Sequence, residues 1–165
     1  MAGAMFDEKE VRQLRECELI KEIPQTTTTT QKTEVSKGYQ VKDTTDVREL
    51  ARDAADRYRI PREIFFALIK QESGWNSRVI GAAGEVGLTQ VMPYHWNKYY
   101  SFAEYRDNPQ AQLEFGAQIL ARHYYEFQSW EKALISYNAG ASRARSGKVP
   151  ASTKRYVKNI MEAYR

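Results

Sequence analysis

The chain has 165 residues, of which 42% are hydrophobic, and it carries a formal net charge of +4 at pH 7. This length accommodates one domain of ordinary size plus a short extension, and the apolar fraction is typical of water-soluble proteins. No stretch approaches the roughly 20 uninterrupted apolar residues that a bilayer crossing needs, which excludes a transmembrane role.

The first 45 residues are predicted to form an N-terminal extension, ahead of a main domain at 46–165. Phe6, Leu14 and Ile20 are spaced among many charged residues, which predicts a short amphipathic helix that ends before Pro24. A threonine run and a polar stretch follow, with too little apolar surface to join a core. We therefore interpret residues 1–45 as an attachment segment and linker.

The same region bears on the compartment in which the protein works. Residues 5–23 alternate charged and apolar side chains, so they lack the continuous apolar run of a secretory signal. No signal peptide is therefore expected. The single cysteine, Cys17, cannot form an internal disulfide, and the fold is not expected to depend on an oxidising compartment.

From Asp46 onwards the apolar pattern becomes helical. Asp46 and Glu49 resemble a capping box, which predicts the start of a first helix. Pro61 fits the first position of a second helix that runs to Glu72, and Gly74 suits its C-terminal stop. These signals predict two consecutive helices in the first third of the domain.

Three further helices are predicted to begin at Asn108-Pro109, Ser129 and Ser152, because each of these positions favours a helix N-terminus. A glycine-rich loop separates them from the first two helices. Strand-like alternation is almost absent. We therefore predict a small all-α domain with a cleft.

Glu72 is the first candidate for chemistry. Leu68 and Ile64 precede it by four and eight residues, so the carboxyl shares a helix face with residues predicted to be in the core. Burial raises the pKa of a carboxyl, and an acid that stays protonated near neutral pH is what protonation of a glycosidic oxygen requires. The alternative is a glutamate that extends into water at the helix end, and spacing alone favours neither.

The sequence around Glu72 contains an ordered set of motifs. They are ESGWN at 72–76, GEVGLTQVMP at 84–93, DNP at 107–109, ALISYNAG at 133–140 and TKRYV at 153–157. Over about residues 46–165 the chain resembles the lytic transglycosylase catalytic domain of the lysozyme-like superfamily. The resemblance implies an all-α, lysozyme-like fold of the goose-type and lytic transglycosylase kind, with a substrate cleft.

The resemblance also implies site residues. Glu72 matches the family's catalytic acid/base, and Gln90, Met92 and Tyr137 match residues that line the glycan groove. In the family the single glutamate protonates the leaving oxygen and then accepts a proton from the muramoyl C6 hydroxyl. The substrate's own N-acetyl and hydroxyl groups thus replace the second carboxylate that most glycosidases use.

Two further motif residues have competing interpretations. For Ser73 a backbone hydrogen bond at the helix end is favoured slightly over substrate contact. For Asn138 we expect a left-handed turn residue before Gly140 whose amide also positions the cleft wall. Both residues are counted among the expected substrate-binding positions.

Two positions depart from the family pattern. The chain has Gly81 where a serine is common and Glu85 where a small residue is common. Glu85 is therefore expected either as a second carboxylate that meets the substrate or as a loop glutamate bonded to nearby backbone amides. The local bond is favoured, because glycines surround the residue.

The expected function is cleavage of the β-1,4 bond between MurNAc and GlcNAc in peptidoglycan, with 1,6-anhydro-MurNAc ends as product. A hydrolytic goose-type lysozyme is the nearest alternative, but that family has an aspartate at the position of Met92. A non-catalytic virion module that retains the fold is a second alternative.

The expected partners follow from these interpretations. Peptidoglycan strands are the substrate, and a bacteriophage virion or tail would carry the enzyme to the cell wall through residues 1–45. The basic stretch at 143–158 suits an anionic polymer, but no nucleic-acid motif accompanies it. No cofactor or metal is expected, since His95 and His123 lack partners at ligand spacing.

Overall fold

The structure is a computed structural model and describes residues 45–165. This part of the chain is helical, and its β-pairing is limited to two isolated bridges, Ile80 with Val86 and Val86 with Val91. The predicted all-α class is confirmed. The helices are α1 Thr45–Arg57, α2 Arg62–Ser73, α3 Pro93–Trp96, α4 Phe102–Arg106, α5 Pro109–Phe127, α6 Trp130–Ala139, α7 Ala141–Ser146 and α8 Ala151–Tyr164.

The predictions for the N-terminal segment, including its amphipathic helix and Cys17, lie outside the described residues. Within the described range, none of the helices is both long enough and apolar enough to span a bilayer.

Helix α2 lies at the centre of the core. Its residues Ile64, Phe65, Leu68 and Ile69 are completely buried, as the helical spacing of apolar residues predicts. They pack with α8 and α1, while α5 packs against α1 and α6. Truncating one such side chain, as in Leu68→Ala, removes packing worth about 2–5 kcal/mol, so the helix that carries Glu72 is firmly anchored.

Several helix starts differ from the sequence prediction by one or two residues. Pro61 is the N-cap of α2 rather than its first helical residue, because its ψ of 127° is extended. Pro150 likewise precedes α8 with a ψ of 150°, so Ser152 lies in the first turn and does not cap the helix. A proline ring fixes φ but leaves ψ open, and either position accommodates it.

The sequence prediction missed three short helices, α3, α4 and α7, which are four to six residues long. One of them had a readable signal. Ser101 and Glu104 form a complete capping box at the start of α4, in which each side chain accepts from the other's backbone N–H.

A glutamine holds the loop between α2 and α3 in place. Gln112, fully buried on α5, accepts a hydrogen bond from the Leu88 N–H at 2.8 Å. Its Nε2 lies 2.9–3.1 Å from the carbonyl oxygens of Ser77, Tyr105 and Arg106. One side chain therefore ties the glycine-rich loop and the end of α4 to α5.

Candidate active site

Glu72 lies in the last turn of α2, which ends where Gly74 adopts a left-handed conformation and returns its N–H to the Lys70 carbonyl. The carboxyl is half-buried and accepts a hydrogen bond from the Tyr156 hydroxyl, with 2.5 Å between the oxygens. Burial raises the pKa of Glu72 to about 7, the Tyr156 hydrogen bond opposes that rise, and the nearby charge of Glu85 adds to it. The group can therefore exchange a proton near neutral pH.

Two tyrosines interact with this carboxyl. Tyr156 comes from α8 and is nearly fully buried. Tyr137 comes from α6 and donates its hydroxyl to the Thr89 carbonyl oxygen at 2.7 Å. Burial, and then the charge of Glu72, raise the pKa of both phenols well above their usual value. Both hydroxyls are therefore neutral donors near neutral pH.

The structure brings Gln90, Met92 and Tyr137 together. All three line a cavity of about 340 Å³, and the wall of this cavity also includes Tyr94, His95, His123 and Ser136. Glu72 itself does not line the cavity, but it interacts electrostatically with Tyr137, which does. Tyr137 therefore belongs both to the cavity wall and to the surroundings of the acid.

The other motif residues have local partners. Ser73 donates to the Ile69 carbonyl and accepts from the Trp75 N–H, which is the backbone role that the sequence favours. Asn138 is not the expected left-handed turn residue, because it lies inside α6 and Gly140 has the positive φ of 92°. The Asn138 side chain instead accepts from Thr153 of α8 at 2.8 Å.

Sequence reasoning missed the role of Tyr156. The residue lies in the TKRYV motif, but nothing in the sequence pairs it with Glu72. It meets Glu72 across 84 positions of sequence, and helical spacing carries no information about such a contact.

Within the described residues, no group of three His, Cys, Asp or Glu side chains is placed to hold a metal ion.

Replacing Tyr156 with phenylalanine is expected to raise the pKa of Glu72 above its value of about 7. The hydroxyl donates to the carboxylate and stabilises its ionised form, so removing that donor favours the protonated form. An NMR titration of the Glu72 carboxyl carbon measures the change, with Tyr164→Phe on the same helix as an exposed control. A lower pKa in Tyr156→Phe would contradict this description of the site.

Comparison with known protein families identifies a family that matches most of the described residues. The Transglycosylase SLT domain family matches residues 49–160. Among individual proteins, the soluble lytic murein transglycosylase of Salmonella typhimurium is 30% identical over 127 residues, and that of Escherichia coli is 29% identical. Each match covers 62% of this chain and 20% of the relative, so the chain spans about a fifth of the length of these proteins.

Solved structures give a consistent result. The 70 kDa soluble lytic transglycosylase of Escherichia coli aligns with a TM-score of 0.61 and 27% identity, covering 70% of this chain and 23% of that one. A complex of the 70 kDa enzyme with bulgecin A aligns with a TM-score of 0.62 at 26% identity and the same coverage. The lytic transglycosylase Slt of Pseudomonas aeruginosa, at 22% identity and a TM-score of 0.62, supports the fold alone. The expected lysozyme-like fold is confirmed.

Proposed function

The chain belongs to the Transglycosylase SLT domain family, and from that membership we propose that it is a peptidoglycan lytic transglycosylase with Glu72 as its acid/base. The observation that carries the proposal is the state of Glu72. It interacts electrostatically with Tyr137 of the cavity wall, and burial raises its pKa to about 7. A carboxyl with this pKa donates and accepts protons at neutral pH, as a single-residue acid/base mechanism requires.

The proposed reaction proceeds in two steps at the bond between MurNAc and GlcNAc. Glu72 donates its proton to the glycosidic oxygen, and the bond from that oxygen to the muramoyl anomeric carbon breaks. The substrate's N-acetyl group supports the positive charge that develops there. The muramoyl C6 hydroxyl then attacks the anomeric carbon and returns its proton to Glu72, which closes the 1,6-anhydro ring without consuming water.

The surrounding residues have assigned roles in this proposal. Gln90, Met92 and Tyr137 line the glycan groove, which agrees with their shared position on the cavity wall. Tyr156 holds the Glu72 carboxyl through the 2.5 Å hydrogen bond. Ser73 and Asn138 support the cleft wall from behind, since their side chains already have partners in the protein.

Product analysis tests the proposal directly. The full chain is incubated with purified peptidoglycan, and the released muropeptides are identified by mass spectrometry. Anhydro-muramoyl ends are the expected result. Reducing ends would indicate a hydrolase of the goose type, and the absence of cleavage would indicate a non-catalytic module.

We also propose that residues 1–45 attach the catalytic domain to a larger assembly, and that this assembly is a bacteriophage virion or tail. Support comes from the amphipathic pattern of Phe6, Leu14 and Ile20. The relatives add a second argument, because in them the matched domain accounts for only 20% of a longer protein. In these relatives the domain is therefore one part of a longer protein.

Deleting residues 1–44 is expected to leave cleavage of purified peptidoglycan unchanged within about twofold, because the described residues of α1, α2, α5, α6 and α8 already share one buried cluster. Binding to virion or tail proteins, measured by co-purification, is expected to be lost. A matched full-length variant, with Phe6, Leu14 and Ile20 changed to serine, should lose binding in the same way. Truncated protein that stays bound, or that loses activity on free substrate, would contradict this division of roles.

A further inference from the structure

Tyr94 is an aromatic residue that the fold leaves open to solvent. It is 67% exposed, although it lies on a helix, the four-residue α3. Aromatic side chains usually bury most of their surface, because their rings carry a large apolar area. Tyr94 also belongs to the wall of the cavity of about 340 Å³. An accessible apolar ring therefore stands at the edge of a space that can hold a ligand.

The helix that carries Tyr94 is firmly anchored. Trp96, two residues later, is 2% exposed and stacks on Tyr105, with 4.1 Å between the ring centroids. Its indole N–H donates to the Val91 carbonyl at 3.2 Å. Pro93 begins the helix, in a position that suits its fixed φ. The backbone of Tyr94 is thus held in place before a ligand arrives, which lowers the entropic cost of binding.

The neighbouring ring of His95 supports the Tyr94 ring. The two ring centroids lie 4.2 Å apart, with 37° between the ring planes. His95 lines the cavity as well. Burial, and then the charge of Arg122, lower the pKa of His95, so its imidazole is mainly uncharged at neutral pH. The contact restricts the tyrosine ring and still leaves most of the residue exposed.

The rest of the cavity wall offers hydrogen-bonding groups without fixed charge. His123 Nδ1 and Ser136 Oγ are hydrogen-bonded at 3.0 Å, and burial is the main cause that lowers the pKa of His123. Glu85, the carboxylate expected near the substrate, does not line the cavity, and it accepts instead from the Ala83 N–H at 3.0 Å, the local bond that the sequence favours. Among the described residues that line the cavity, none is Asp, Glu, Lys or Arg. A charged ligand would lose hydration there without meeting an opposite charge, so the wall favours an uncharged polar ligand.

A sugar ring has both of the properties that this wall requires. The faces of a pyranose ring consist of C–H groups and are apolar, and an aromatic side chain binds such a face by stacking. The edges of the ring carry hydroxyl and amide groups, which need the kind of polar partner that the wall supplies. The cavity volume of about 340 Å³ is at the small end of the range for ligand sites. This size suits a short segment of a glycan strand.

We propose that Tyr94 is a substrate-binding residue that stacks on the face of one uncharged N-acetylhexosamine ring, while His95, His123 and Ser136 form hydrogen bonds with the edge of that ring. The inference rests on the proposed function for the identity of the polymer, peptidoglycan. Binding of a sugar at Tyr94 requires no catalysis and is measured separately. The stacked ring lies in the same cavity as Gln90 and Tyr137, to which the proposed function assigns the glycan groove.

The test is a calorimetric titration with chitotetraose, an uncharged β-1,4-linked tetramer of GlcNAc. The full chain carries Glu72→Gln, so that the ligand stays intact. Adding Tyr94→Ala should raise the Kd about three- to tenfold, because the stacking contact is lost. Adding Tyr94→Phe keeps the ring and should leave the Kd within about twofold. Tyr164→Ala removes an exposed tyrosine from α8 and is the control, with no expected change.

The substitutions are then made in the chain with an intact Glu72 and assayed on peptidoglycan. Tyr94→Ala should raise KM by a similar factor and leave kcat near the wild-type value, because the lost contact contributes to binding and not to chemistry. The Tm should stay unchanged, since the residue is exposed. Tyr94→Leu, which keeps apolar volume but has no flat ring, should show the same rise in KM and serves if the alanine variant is unstable. A purely structural role would instead lower Tm and kcat together.

Three results would overturn the inference. They are a Kd for chitotetraose that Tyr94→Ala leaves unchanged, an equal loss of affinity in Tyr94→Phe, and a parent chain that does not bind chitotetraose. The second would indicate that the hydroxyl binds the sugar and not the ring. By contrast, reducing ends or the absence of cleavage in the product analysis would overturn the proposed function and leave the binding result at Tyr94 intact.

Discussion

Replacing Glu72 with glutamine is expected to reduce cleavage of peptidoglycan by about 10²–10⁴-fold, the range that general acid/base catalysis contributes. Glutamine keeps the shape of the side chain, and its amide oxygen still accepts the Tyr156 hydroxyl. It has no proton to transfer to the glycosidic oxygen. The loss should therefore appear in kcat, measured as release of muropeptides, and not in substrate binding.

The same substitution makes a prediction about stability that separates chemistry from folding. The pKa of Glu72 is raised in the folded protein from an ordinary 4.5 to about 7. The contribution of this carboxyl to stability is thus fully present below pH 4.5 and is lost as pH rises through 7. Glu72→Gln has nothing to ionise, so above pH 7 it should be more stable than wild type, by up to roughly 3 kcal/mol.

The control is Glu63→Gln, an exposed position on the same helix, which should retain full activity and the pH dependence of the wild type. A Glu72→Gln protein that still cleaves the cell wall would remove Glu72 from the mechanism. A variant that is inactive because it is unfolded would instead show a lower denaturation midpoint at every pH.

Two neighbours set the protonation of Glu72 in opposite directions. The Tyr156 hydroxyl stabilises the carboxylate, and the Glu85 charge disfavours it. Removing the first should raise the pKa of Glu72, and removing the second should lower it. Because Tyr156 acts from α8 through a hydrogen bond and Glu85 acts from the turn at 81–86 through its charge, the effects on the pKa of Glu72 should be close to additive in a double variant.

The sequence predicted those parts of the fold that depend on periodic burial. The long helices carry apolar residues at helical spacing, and residues such as Ile64 and Leu68 are buried as that spacing implies. The helices α3, α4 and α7 are too short for a period to be evident. Their boundaries depend on caps and on contacts with the rest of the chain.

The sequence predicted less of the site than of the fold. The spacing of Glu72 with Leu68 indicated burial, but the partner that supplies its hydrogen bond, Tyr156, lies 84 positions away. The Glu85 carboxylate lies where a Cβ on residue 81 would be. The sequence alone does not express this steric relation. The roles of Gln90 and Met92 towards the substrate stay predictions.

Replacing Gln112 with leucine is expected to lower the free energy of unfolding by at least about 3 kcal/mol. The substitution leaves the buried Leu88 N–H without the acceptor it has at 2.8 Å. It also removes the donor beside the carbonyls of Ser77, Tyr105 and Arg106. Each buried polar group that loses its partner costs about 1–3 kcal/mol, and a leucine side chain can replace none of these hydrogen bonds.

The loss should extend to function, because Gln112 fixes the loop that presents Gln90 and Met92 to the cavity. Leu88 and Thr89 precede these residues directly, and the Thr89 hydroxyl also bonds to the Gln112 carbonyl. Without the side chain the loop is held at fewer points, so KM for peptidoglycan should rise even at temperatures where the variant remains folded. Urea denaturation measures the stability, and Gln110→Leu, exposed on the same helix, should change it by no more than about 0.5 kcal/mol. If Gln112→Leu were as stable as Gln110→Leu, some other interaction would have to hold the loop between α2 and α3 against α5.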